Sequence, residues 1–169
     1  MLRRTLNVRT GQKALKDTIA SSLMTELMNP SHEIYFVVNE LSDVALLDNQ
    51  LESYSDQFPR VRRRWIHLSD VLLALAAKGA LVRMVCNTEH QQTQRVVMEF
   101  DEKIEIRHEN VGVEHEGLFT ERLSLSGTLA FSEQGSYTGS DRVILNLEPS
   151  EVSKRWKEAR QSWEVAKPL

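Results

Sequence analysis

Apolar residues recur at every fourth position in Leu15, Ile19, Leu23 and Leu27, the spacing that gathers side chains on one face of a helix. The pattern predicts a helix over 11–28, capped by Thr10 and stopped by the Asn29-Pro30 pair. A different texture follows. Ile34, Tyr35, Phe36, Val37 and Val38 form a short β-rich run with no polar position inside it, the mark of a strand covered on both faces. Val71, Leu72, Leu75 and Ala76 return to helical spacing behind Ser69 or Asp70 as cap. Gly79 closes that helix before a second apolar run over 80–86. Strand, helix and strand in this order imply a right-handed crossover, so the two strands are expected to run parallel.

The remaining stretches are shorter. Leu6 and Val8 among polar neighbours suggest an edge strand. Residues 41–59 are the least patterned, with a brief helical piece expected over 44–47. A polar helix is expected over 89–100, then a strand over 103–107 in which Ile104 and Ile106 alternate with charged residues. Three further strands are expected over 113–120, 123–125 and 143–147. Pro149 suits the first turn of a last helix, on which Val152, Trp156, Ala159 and Trp163 share a face. Aromatics at helical spacing pack against a core more often than against a partner. With no repeat and no low-complexity segment, the sequence reads as one α/β domain over 1–169, a central mixed β-sheet flanked by helices.

Composition changes this picture little. The chain has 169 residues, 41% of them hydrophobic, which is enough for one substantial core and too few residues for two. A net charge of −3 gives no global field to draw the molecule onto nucleic acid or an anionic membrane. No apolar stretch approaches the ~20 residues of a membrane span. The basic start at Met1, Leu2, Arg3 and Arg4 lacks the hydrophobic region of a signal peptide, so a cytoplasmic location is expected. Cys86, the single cysteine, excludes an intramolecular disulfide and reads as a buried, inert thiol.

The candidate chemistry lies in residues 113–135. Glu114, His115 and Glu116 precede Gly117, Leu118, Phe119, Thr120 and Glu121. After a short apolar strand come Gly127, Thr128, Leu129, Ala130 and Phe131, and then Gly135. This segment resembles the catalytic segment of the phospholipase D superfamily, which runs H-x-K-G-(I/L)-x-T-D, a strand, G-S-x-N-(F/L)-T and a Gly. The resemblance puts Glu114, Glu116 and Glu121 where the family has His, Lys and Asp. It puts Thr128 and Ala130 at the Ser and Asn places. Residues 34–43 are similar to the family's first core strand and the turn after it, and 67–83 to its helix, glycine turn and second strand. The run over 43–49 further resembles short phospholipase-D-like proteins of bacterial anti-phage defence clusters, such as those guarding deazaguanine-modified DNA.

What the resemblance implies is a phospholipase-D-like sandwich without its chemistry. In active members one His attacks phosphorus to form a phosphohistidine, a second protonates the leaving oxygen, and Lys and Asn hold the phosphate oxygens. With those groups replaced, the resemblance implies a catalytically inactive subunit with a structural or nucleic-acid-recognition role in an anti-phage defence complex. The family's working unit brings two motif segments together, so a chain with one implies a homodimer, inside a larger assembly or alone.

Two alternatives keep an enzyme in view. His115 could be the family's histidine displaced by one place, although in a strand it would point away from the face shared by residues 114 and 116. Glu114, Glu116 and Glu121 could instead converge on Mg²⁺ or Mn²⁺, strand periodicity setting the first two side by side. Either would make a phosphodiesterase or nuclease. His32, His67, His90, His108 and His115 share no zinc-like spacing with Cys86, and no metal site or cofactor is expected. The dense basic run Arg60, Arg62, Arg63 and Arg64 is followed at once by Trp65. Guanidinium forks beside an aromatic suit phosphate backbone or single-stranded bases such as those of DNA, while a solvated or acid-paired loop edge is the plainer reading. A small protein–protein adaptor without nucleic-acid contact is the third function class.

Overall fold

A computed structural model describes residues 3–6, 12–100, 102–129, 131 and 142–169. Along the chain come β1 (Arg3–Leu6), α1 (Gln12–Met28), β2 (Glu33–Val38), β3 (Ala45–Asp48) and β4 (Trp65–His67). Next are α2 (Leu68–Ala77), β5 (Leu81–Cys86), α3 (Gln91–Met98) and β6 (Glu105–His108). β7 (Gly117–Phe119), β8 (Ser124–Ser126), β9 (Val143–Asn146), α4 (Pro149–Val165) and β10 (Lys167–Pro168) complete the order. Among the described residues, eight strands form one sheet in the order β1-β9-β8-β7-β2-β5-β6-β10, and β3 and β4 form a separate hairpin. β2, β5 and β6 run parallel, as the crossover pattern requires. The strands on the β7 side and β10 pair antiparallel. The sheet is therefore mixed.

Alternation along β2 explains its unbroken apolar run. Ile34, Phe36 and Val38 join Leu15, Leu23 and Leu72 in the larger core cluster, which α1, α2 and α3 cover. Tyr35 and Val37 face the other way, into a cluster with Val85, Phe119, Ala159 and Trp163 beneath α4. A strand with helices on both faces has no solvent side to spend on polar residues. The four fourth-position residues of α1 are all buried. On α4, Trp163 is buried, and Trp156 lies edge-on to Tyr35 with centroids 5.6 Å apart and donates Nε1–H to Glu33 O at 3.2 Å. Cys86 is fully buried, and desolvation pushes its thiol up to about 12.

Several expectations need correction. Residues 45–48 are a strand: they pair antiparallel with β4, and tertiary pairing overrides a run too short to declare its period. β4 itself was not anticipated, because only three residues separate the basic run from the next helix. The cap of α2 is His67, two residues before Ser69 and three before Asp70. Asp70 accepts the His67 N–H at 2.8 Å from the third helical position, and Ser69 instead donates through N–H and Oγ to Asp43. The polar helix is trimmed to Gln91–Met98. The strand expected over 113–120 begins only at Gly117, because residues Val113–His115 form a single 3₁₀ turn. Thr10 and Val8, like Ala130 and Gly135, lie outside the described residues.

Candidate functional site

The carboxyl ends of parallel strands are where open α/β sheets place their ligands, and Glu116 sits there. It precedes β7, is only 3% exposed, and both of its oxygens are engaged. Oε1 accepts the backbone N–H of Asn39, just past the end of β2, at 2.7 Å. Oε2 accepts the hydroxyl of Thr128, just past β8, at 2.6 Å. The Gly127 N–H donates to the Glu116 carbonyl at 3.0 Å, so side chain and backbone tie the same two segments together. Asn39 extends the network, its Oδ1 accepting the Val111 N–H at 3.2 Å and its carbonyl accepting the Asn87 N–H at 3.1 Å. Nearby, Leu41 donates N–H to Thr93 Oγ1, Gln92 Nε2 donates to Ser42 Oγ, and Ser42 Oγ donates to the Phe131 carbonyl. The polar groups of this edge are turned on one another.

Local glycines allow this closure. A Cβ on Gly117 would stand 2.3 Å from the Leu125 carbonyl across the β7–β8 pair, so only glycine fits there. Gly127, at φ +136, leaves β8 against the Arg142 carbonyl with no room for a side chain. Thr120 makes the hairpin turn between β7 and β8. Its Oγ1 accepts the N–H groups of Arg122 and Leu123, both at 3.1 Å.

The other motif positions do not converge with Glu116. Glu114 and His115 lie on the 3₁₀ turn, more than half exposed, with His115 Nε2 3.5 Å from Glu114 Oε1. The turn breaks the strand alternation that would have set Glu114 beside Glu116, so one acid is in solvent and its neighbour is buried. Glu121 follows β7 and accepts the His32 N–H at 3.1 Å, before β2 begins. Glu116 and Glu121 thus stand at opposite ends of β2, a strand of six residues and roughly 20 Å. The fold does not bring Glu114, Glu116 and Glu121 together, as the carboxylate-site alternative would need. Among the described residues no group of three His, Cys, Asp or Glu side chains could hold a metal ion. Thr128, which the resemblance puts at the family's Ser place, donates its hydroxyl to Glu116, a pairing not expected from the sequence.

The basic run lies elsewhere, on the limb that leads into β4. Arg63 Nη2 reaches Asp70 at 2.7 Å, and Arg64 Nη2 reaches Asp48 at 3.0 Å. The guanidinium of Arg64 holds the Asp48 carboxyl below its ordinary range, and the same pairing raises the pKa of Arg64. Arg60 and Arg62 make no ion pair with the described residues. Trp65 is 41% exposed, with Arg64 Cζ 5.2 Å from its ring centroid. The limb is fixed from below: Phe58 is buried, Asn49 N–H donates to the Arg64 carbonyl at 2.6 Å, and Asn49 Oδ1 accepts the Tyr54 N–H.

No family model and no curated protein matches this chain in sequence. Solved structures do match its fold. NucT from Helicobacter pylori aligns over 99% of this chain and 98% of its own, with a TM-score of 0.66 and 8% identity. Nuc from Salmonella typhimurium, a phospholipase D family member, aligns over 99% and 97%, with a TM-score of 0.60 and 11% identity. The fold is phospholipase-D-like. TrmBL2, an archaeal chromatin protein with a novel mode of DNA binding, matches at a TM-score of 0.56 and 10% identity, the chain spanning 55% of its length. Within the phospholipase-D-like frame, the engagement of Glu116 by Asn39 was invisible to sequence reasoning. Its partner lies on a strand end far along the chain, and only the topology brings the two together. Among the described residues no helix is long and apolar enough to cross a membrane.

Proposed function

We propose that this chain is a catalytically silent subunit of phospholipase-D-like fold whose work is recognition and assembly rather than phosphoryl transfer. The observation that carries this reading is the buried Glu116 carboxylate, hydrogen-bonded through both oxygens at the place where the resembling family keeps its phosphate-binding Lys. A phosphate brought to ~4 Å of that carboxylate meets repulsion of about 4 kcal/mol at an effective dielectric of ~20, where catalysis needs attraction. The neighbouring polar groups are occupied as well. His115, the remaining nucleophile candidate, is in solvent beside Glu114. Assays with bis(p-nitrophenyl) phosphate, single-stranded DNA and duplex DNA, with and without Mg²⁺ or Mn²⁺, are expected to show background turnover only. Turnover abolished by His115→Ala would overturn the reading. Metal-dependent turnover abolished by Glu116→Gln would transfer the chemistry to a carboxylate site.

The recognition role is supported by the exposed part of the basic run with Trp65, and by the DNA binding of TrmBL2, a protein similar in fold alone. We place the subunit in the cytoplasm, as a homodimer or within a bacterial anti-phage defence complex; the resemblance of residues 43–49 supports that setting. Loss of phage protection on deleting the gene, restored by the wild-type chain, tests it. The pairing of Arg63 with Asp70 and of Arg64 with Asp48 favours a second reading, an adaptor with no nucleic-acid contact. Affinity for DNA that falls steeply with salt separates the first reading from the second.

A further inference from the structure

We propose that the exposed indole of Trp65 and the guanidinium groups of Arg60 and Arg62 form a binding platform for single-stranded nucleic acid, with one base stacked on the indole and two phosphates held by the arginines. This rests on the recognition role proposed above and adds which nucleic acid is bound, and where.

The geometry of the β3–β4 hairpin carries the inference. Trp65 sits opposite Asp48 in the hairpin register. Asp48 in turn grips Arg64 through Oδ1 at 3.3 Å and Oδ2 at 3.0 Å, and Arg64 lies over the indole. The Asp48–Arg64 pair therefore stands against the indole, a held guanidinium over one face of the ring. Arg63 adds a second tether, donating Nε–H to the Trp65 carbonyl at 3.2 Å while Nη2 holds Asp70. Arg63 and Arg64 are positioning residues, while Arg60 and Arg62 are exposed and make no ion pair with the described residues. An indole is a large, rigid ring whose stacking costs little conformational freedom, and every base presents a π-face. Beside the run a hollow of about 380 Å³ is lined by Asn49, Ser55, Arg62 and Arg64, with Glu52 as its one carboxylate. A duplex keeps its bases stacked on each other and offers no free base face to Trp65, so the same hairpin discriminates against it. An anionic membrane is the other surface that arginine and tryptophan suit, but the chain's net charge of −3 supplies no wider field to hold one.

The test uses the intact chain, fluorescein-labelled dT20, the matching dA20·dT20 duplex, and vesicles containing phosphatidylserine. The wild type is expected to bind dT20 more tightly than the duplex. Trp65→Ala is expected to weaken dT20 binding by about 5- to 150-fold, the span measured for loss of one stacked base. Arg60→Glu with Arg62→Glu should lower the slope of log affinity against log salt by about 1.4, two single-strand phosphate contacts' worth. Trp65→Phe should retain most of the affinity, which separates stacking from a folding defect. Equal or tighter binding of the duplex, an unaffected Trp65→Ala, or preference for the vesicles would overturn the platform. Duplex binding lost on reversing Arg60 and Arg62 would overturn the platform yet leave the recognition role standing. Phosphodiesterase turnover in the same preparation would instead overturn the silent-subunit reading.

Discussion

At the scale of single residues, Glu116 is a carboxylate that has become a fastener. Its oxygens satisfy a backbone N–H and a hydroxyl that would otherwise be poorly solvated. Glu116→Ala is expected to cost about 2–3 kcal/mol in urea unfolding, because two donors lose their acceptor. Glu116→Lys, the residue the phospholipase D resemblance has at this place, sets an ammonium donor against the Asn39 N–H. It should destabilise at least as much as alanine and restore no turnover, a combination readable from one preparation by unfolding and phosphodiesterase assay. Burial governs Cys86 and Tyr35 in the same way. Desolvation is the main cause raising both, from 9.0 to about 12 for the thiol and from 10.0 to about 12 for the phenol, with Glu33 adding to the latter. Above pH 9 the unfolded chain releases these protons first, so the stabilisation is complete below that pH and is lost as pH climbs toward 12. Cys86→Ala should flatten the first part of this alkaline limb, and native Cys86 should resist Ellman's reagent until the protein unfolds.

At the scale of elements, legibility followed the length of the periodic signal. α1 and α4, with several turns of spaced apolar residues, and β2 and β5, with unbroken apolar runs, could be read from the sequence. β3, β4 and the 3₁₀ turn could not, for three or four residues carry no period and their shape comes from partners in space. Gly117, Gly127 and Thr120, which the sequence singled out, do stand at close approaches and a turn. The grouping of the glutamates was not legible: Glu121 is drawn to His32 and Glu116 to Asn39, at opposite ends of one strand. The frame itself offers a test. Gly117→Ala drives a Cβ into the Leu125 carbonyl across a strand pair, and backbone has little room to yield. A loss of about 2–4 kcal/mol is expected by chemical denaturation, whereas Gly79→Ala, with open space around its Cβ position, should cost only what its φ of +96 imposes.

At the scale of the whole molecule, a homodimer is expected at micromolar concentration. The 3₁₀ turn that carries Glu114 and His115 also exposes Val113 at 62%, and we propose that this turn lies at the contact. A twofold contact there brings each Glu114 toward its mate, so apolar contacts such as Val113 must outweigh that repulsion. Sedimentation equilibrium showing only monomer would dismiss a free homodimer, and Val113→Glu should shift a real one toward monomer. The register of the outer strands bears on a different matter, time. β1 pairs with β9, Arg3 opposite Asn146, so β1 is synthesised long before the strand it must pair with. Until then the growing chain can assemble β2, α2 and β5 from near neighbours, while the outer half of its sheet stays open. The interval in which this protein is most exposed to aggregation is therefore set by the pace of its own synthesis.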